Sequence, residues 1–182
     1  QRRYTDVQIS LFTPKCSLIP SHFHHPLHVR KNLSEVVNLS EDDVVDSVEV
    51  PENAAVLLYS NSIGETLSKV ISETVLKVDG TKVQPLPELF YMLSELKNLQ
   101  DYNKILASYA DGHLYLVIAQ GKSLLLCNTF QAQDFTTAEY FIFLAMKKLQ
   151  LNPEVSTISF RTPLNEEQEM SLYRYFRNVE QI

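Results

Sequence analysis

The chain opens on an alternating pattern. Within Tyr4 to Phe12, Val7, Ile9 and Leu11 fall at period two between Asp6, Gln8 and Ser10, which predicts a half-buried strand. Thr13-Pro14-Lys15 turns it, Cys16 to Ile19 returns, and Pro20 suits the first turn of a helix through Phe23 and Leu27 towards Val29. Ser40 and Asp43 have the spacing of a capping box, predicting a short helix that Pro51 interrupts. Ala54 to Tyr59 (AAVLLY) is a continuous apolar run, and so predicts a core strand covered on both faces. Next, Asn61 or Ser62 caps a helix striped by Ile63, Leu67, Val70 and Ile71, and Thr74 to Val78 reads as a strand turning at Asp79-Gly80. A helix from Pro87 towards Leu99 carries Phe90, Leu93 and Leu96.

The second half has sharper punctuation. Lys104 to Ala110, Asp111-Gly112 and His113 to Ala119 form the strongest hairpin signal, because Asp-Gly supplies the positive φ angles of a two-residue turn. Gly121-Lys122 turns again into Ser123 to Thr129, giving three consecutive antiparallel strands. Thr136 to Gln150 follows as an amphipathic helix with Tyr140, Phe141, Leu144 and Leu149 inward, stopped by Asn152-Pro153. Val155 to Phe160 is a strand, and Asn165 to Val179 a closing helix with Met170, Tyr173 and Phe176 on its stripe. From Lys104 onward the order βββαβα is that of a ribonuclease H-like unit. The first half repeats the tail of that order, as if its opening strands were cut away. The class expected is α/β with mixed sheets, in two lobes over residues 1–100 and 101–182.

Composition narrows the activities. With 182 residues, 45% of them hydrophobic, the chain can bury a real core. The net charge of -6 is the wrong sign for a general grip on nucleic acid. No stretch approaches the roughly 20 apolar residues that span a bilayer, so no membrane insertion is expected. Cys16 and Cys127 lie far apart within apolar segments, which suits buried, reduced thiols and a cytoplasmic setting. The chain starts at Gln1 with no apolar signal core after Arg2, Arg3 and Tyr4, and reads as a fragment whose first lobe is truncated.

The stretches LFTPKCSLIP (Leu11 to Pro20), VLLYSNSIGETLSKVI (Val56 to Ile71), LLLCNTFQAQDFTTAEYFIFLAMKKLQL (Leu124 to Leu151) and LYRYFRNV (Leu172 to Val179) resemble a family of uncharacterised bacterial proteins assigned an actin-like ATPase fold. The resemblance implies two ribonuclease H-like lobes and supplies no activity. An actin-like nucleotide site needs an acidic residue in a first hairpin and glycines where backbone approaches phosphate and adenosine. Asp111 and Gly112 stand in that hairpin, and Asn128 and Thr129 complete the nucleotide cleft that the resemblance implies. Yet Asp-Gly is also the default turn former. After the third strand, where actin-like ATPases tend to carry a glycine pair, this chain has Asn128-Thr129-Phe130. After Phe160 it has Arg161-Thr162-Pro163. Side chains there would occupy a nucleotide's space, so no cofactor and no efficient ATP hydrolysis are expected. The alternative is a divergent ATP-binding protein or slow ATPase, taking ATP and magnesium, with its phosphate loop upstream of residue 1.

Other motifs weigh less. Gly121-Lys122-Ser123 lacks the earlier glycine of a P-loop, since position 116 is Leu, and it turns strand into strand. His24 and His28 would share a helix face four apart, as two zinc ligands can, among His22 and His25. Asp42, Asp43 and Asp46 lie in a stretch from Glu35 to Glu52 with seven acidic residues and no Lys or Arg, which reads as a solvated face, and the part around Asp42 to Glu49 and the cleft near Asp111 are the candidate protein-contact surfaces. Tyr140, Phe141 and Phe143 span both sides of their helix, so part of that surplus could form a homo-oligomer interface. The expected role is contact with a protein partner.

Overall fold

The structure, a computed structural model, describes residues 7–61 and 83–182. The helix expected after Asn61, the strand at Thr74 to Val78, the turn at Asp79-Gly80 and the start of the opening strand lie outside these residues. The chain divides into two compact units, Gln1–Glu88 and Leu89–Ile182.

In the first unit the opening alternation yields a short strand, β1 (Ser10–Leu11). β2 (Cys16–Pro20), α1 (Val29–Ser34), β3 (Val45–Val50), β4 (Ala55–Ser60) and β5 (Leu86–Pro87) follow. β1 and β5 pair in parallel, while β4 lies between β2 and β3, antiparallel to both. The apolar run forms β4 as expected, buried at every position. Its Val56 and Leu58 pack with Leu33 of α1, and Leu57 and Tyr59, on the other face by strand alternation, are equally buried.

Two expectations fail in this unit. The helix from Pro20 to Val29 is instead two single 3₁₀ turns, Ser21–Phe23 and Pro26–His28. Pro26 explains the break, because the residue before a proline is pushed out of the helical region, and His25 is extended at φ -137° and ψ 127°. No helix starts at Ser40. A turn there leads into β3, where β-branched Val45, Val48 and Val50 suit a ladder on β4.

The second unit holds most of α2 (Glu88–Glu95), then β6 (Asn103–Ala110), β7 (His113–Gln120), β8 (Ser123–Gln131), α3 (Phe135–Lys148), β9 (Thr157–Phe160), α4 (Glu166–Tyr173) and β10 (Asn178–Gln181). The sheet order is β10-β9-β6-β7-β8. The β6–β7 and β7–β8 pairs are antiparallel, and β9 is parallel to both β6 and β10. This is the ribonuclease H-like plan read from the sequence, extended by β10. Ile105 and Ala107 of β6, Leu114, Leu116 and Ile118 of β7 and Ile158 and Phe160 of β9 share one core with Ala138, Ile142 and Met146 of α3. Leu106, Ser108, Tyr115 and Val117 alternate with these residues and are also buried, so the central strands are covered on both faces.

The closing helix is shorter than expected. Asn165 and Gln168 form a reciprocal capping box at its start, both bonds being 2.9 Å. It ends at Tyr173, and the chain turns through Phe176 to lay β10 beside β9. Leu172 and Phe176 are the buried residues, whereas Met170 and Tyr173 face water. Gly121 occupies φ +56° at the β7–β8 turn, and a Cβ there would stand 3.2 Å from the Tyr102 ring. Gly121→Ala is expected to destabilise the chain by about 1–2 kcal/mol through left-handed strain and crowding. Urea unfolding would measure this, and an unchanged midpoint would contradict it.

Candidate functional site

β6, β8 and β9 run in one direction, so their carboxyl ends meet at a single edge of the sheet. In open α/β sheets ligands bind outside the carboxyl ends of the strands. Three connections gather at this edge: the Asp111-Gly112 turn, residues 132–134 between β8 and α3, and residues 161–165 between β9 and α4.

Asp111 and Gly112 have φ angles of 50° and 69°, the two left-handed positions of a mirror-image hairpin turn. The Asp111 carboxylate is exposed and makes no hydrogen bond among the described residues, while its carbonyl accepts from His113 Nδ1 at 2.8 Å. The Gly112 carbonyl accepts from the Ala132 amide at 2.8 Å, joining the first two connections. Asn128 and Thr129 do not reach this edge. They lie inside β8, opposite Leu116 and Tyr115, because the strand runs on to Gln131. Phe130 carries it further by stacking on Phe141 at 4.8 Å. The bend after the third strand is therefore Ala132-Gln133-Asp134, and Ala132 is fully buried.

Tyr109, the penultimate residue of β6, ties the edge together. Its amide donates to Thr162 Oγ1 at 2.9 Å, and its phenol donates to the Ala132 carbonyl at 3.1 Å. Burial first, then the Asp134 carboxylate, pushes the phenol's pKa up, so it holds its proton as a donor. Phe135 meets the Tyr109 ring edge-on at 5.5 Å and leans on Phe160 at 6.1 Å. Asp134 caps α3 by accepting from the Thr137 amide at 2.7 Å, and that bond leads in holding its carboxyl below the usual range. Arg161 sits over the Tyr91 ring at 5.8 Å.

A cleft of about 280 Å³ opens between the first turns of α3 and the length of α4. Phe135, Glu139, Asn165, Glu167, Ser171 and Arg174 line it. Glu139 is only 9% exposed, and its Oε1 has no hydrogen-bond partner among the described residues. Glu139 is hidden from any helix phase set on the aromatics. The buried stripe is Ala138, Ile142 and Met146 with Glu139 beside it, and Tyr140 is 60% exposed. The i, i+4 run of Ala138, Ile142 and Met146 was the available signal.

The other sequence candidates are scattered. His24 lies in the extended link between the two 3₁₀ turns, so it shares no helix face with His28, whose ring instead neighbours His25 at 4.8 Å. Among the described residues no group of three or more His, Cys, Asp or Glu could hold a metal ion. Asp43 is no part of a solvated face. It is buried and accepts from Lys15 Nζ, Ser60 Oγ and the Ser40 amide, each at 2.6 Å. Asp42 and Glu49 remain exposed. Cys16 is buried and Cys127 half-buried, and neither is in a disulfide. No helix among the described residues is long and apolar enough to cross a membrane.

The family described as "Protein of unknown function (DUF3822)" matches residues 1–179. No curated protein matches the chain. Among solved structures, the chain is similar to a Bacteroides thetaiotaomicron protein with an actin-like ATPase fold and unknown function. That likeness has a TM-score of 0.74 at 15% identity, over 98% of this chain and 69% of that one. The fold is therefore that of actin-like ATPases. A type IV pilus biogenesis complex, PilM-PilN, is similar at a TM-score of 0.45 and 15% identity, over 92% of this chain and 65% of that one.

Proposed function

The chain belongs to this family of unknown function, and from that premise we propose that it is a non-catalytic protein with an actin-like ATPase fold that works through contacts with a protein partner. One observation carries the reading: the carboxyl edge of the second sheet is filled by side chains. Tyr109 bridges Ala132 and Thr162, and Phe135 stands against it. A phosphate or nucleoside at such an edge is held by exposed backbone amides and glycine-permitted close approach. Here the only glycine at the three connections is Gly112, and the neighbouring Ala132 amide is already donated to its carbonyl. A non-hydrolysing scaffold keeps the two-unit frame and uses its outer surfaces, of which the α3–α4 face and the exposed acidic residues around Asp42 are the candidates.

Calorimetric titration of the full chain with ATP and magnesium tests the reading. The expected result is no micromolar binding and no turnover. The alternative of a divergent nucleotide-binding protein draws on the unbonded Asp111 carboxylate at the same edge. If ATP does bind, Asp111→Ala separates the two. A loss of affinity in that variant would establish the alternative and overturn the protein-contact reading.

A further inference from the structure

We infer that the cleft between α3 and α4 receives an arginine side chain presented by a protein partner, with the Glu139 carboxylate as its anchor. This rests on the protein-contact reading above and names the chemistry of the contact. Glu139 is the most constrained group in the cleft, being 9% exposed with Oε1 unpartnered among the described residues. A buried carboxylate without a donor costs free energy in the free protein, and a bound donor recovers it. Glu167 lines the same cleft and adds a second carboxylate with no ion pair among the described residues. Two carboxylates disfavour phosphates and favour a cation.

The size and lining select the cation. At about 280 Å³ the cleft lies just under the span of small-molecule sites, which suits a single side chain. A guanidinium is planar, can bond two carboxylates with separate edges, and stacks on aromatic faces, and Phe135 lines the cleft. An ammonium offers a point charge and no such fork. Around the rim, Met170 lies between Glu167 and Arg174 on the same side of α4, and Tyr140 of α3 is also exposed. Met and Tyr are residue types enriched at interfaces. Arg174, the cation already in the lining, is exposed, and its guanidinium bonds neither carboxylate.

The test is a two-dimensional NMR titration of the full chain, at low salt, with N-acetyl-arginine amide and with N-acetyl-citrulline amide as its uncharged counterpart. The arginine probe is expected to shift amides of residues 135–139 and 165–174 saturably, and the citrulline probe to leave them in place. Glu139→Gln is expected to weaken the arginine probe about tenfold, the scale of one charge-assisted bond. Arg174→Ala removes an exposed like charge and is expected to strengthen the probe about twofold. Equal shifts from citrulline, unaltered affinity in Glu139→Gln, or weaker binding in Arg174→Ala would each overturn the assignment. Should Glu139→Gln not fold, the citrulline comparison and Arg174→Ala still decide. ATP turnover alongside intact arginine recognition would remove the non-catalytic reading and leave this site standing. Lost arginine recognition with ATP inert would remove this site alone.

Discussion

Asp43→Ala is expected to destabilise the chain by about 3 kcal/mol in urea unfolding, because it strips the acceptor from a buried charge network. Lys15 reaches Asp43 from the turn before β2, Ser60 from the end of β4, and Ser40 from the turn before β3. Arg30, on α1, clasps the same turn through the Asp43 and Ser40 carbonyls at 2.6 and 2.7 Å. The Lys15 side chain is 35% exposed, so water screens part of the pair and the effect belongs at the lower end for broken buried ion pairs. Lys15, then Ser60 and the Ser40 amide, hold the carboxyl far below the ordinary carboxylate range. A carboxyl depressed in the folded state stabilises fully above its unfolded value of roughly 4 and loses that contribution as pH falls through the folded value. The gap between wild type and Asp43→Asn is therefore expected to be constant from pH 5 to 8 and to shrink progressively below about pH 4. A gap that widened on acidification would contradict this.

Asp43 also illustrates what the sequence could and could not disclose. Seven acidic residues between Glu35 and Glu52 look alike in one dimension, and a charge run is normally solvated. What distinguishes Asp43 is Lys15 and Ser60, which lie far away in sequence and arrive only through the β2–β4–β3 sheet. The local rules worked where local chemistry decides the outcome. Asp-Gly made its hairpin, AAVLLY its buried strand, and Asn165 its helix start. Apart from the Pro26 break, which is itself local, they failed where a neighbour in space overrides them. Val45–Val50 became a strand because β4 offered an edge, and the closing helix gave way to β10 because β9 did.

The candidate edge was legible in part for the same reason. The Asp111-Gly112 turn and the bend at Arg161-Thr162-Pro163 after β9 are legible because their signals are local. The bend after the third strand lies beyond the expected Asn128-Thr129-Phe130, since strand length depends on the partner strand β7 and on Phe141. Tyr109, which seals the edge, has no sequence signature at all. Its role exists only because its phenol meets Ala132 and its amide meets Thr162.

That sealing is expected to depend on the core beneath it. Phe160 is fully buried at the carboxyl end of β9, against Phe135, which in turn meets Tyr109. Phe160→Ala opens a cavity that the rigid sheet cannot close, and is expected to cost about 4 kcal/mol, whereas Phe160→Leu, which keeps most of the volume, costs roughly 1.5 kcal/mol. The informative measurement is the double-mutant cycle with Tyr109→Phe. Alone, Tyr109→Phe deletes one phenol bond and leaves the Ala132 carbonyl without that donor, a loss of about 1 kcal/mol. In the Phe160→Ala background Phe135 is free to relax into the cavity, the Tyr109 ring loses its backing, and the same deletion is expected to cost about half as much or less. Strict additivity in urea unfolding would mean that Tyr109 is held by the backbone alone. The filled edge would then be a feature of the two loops rather than of the packed core, and a single Tyr109 substitution would be enough to open it.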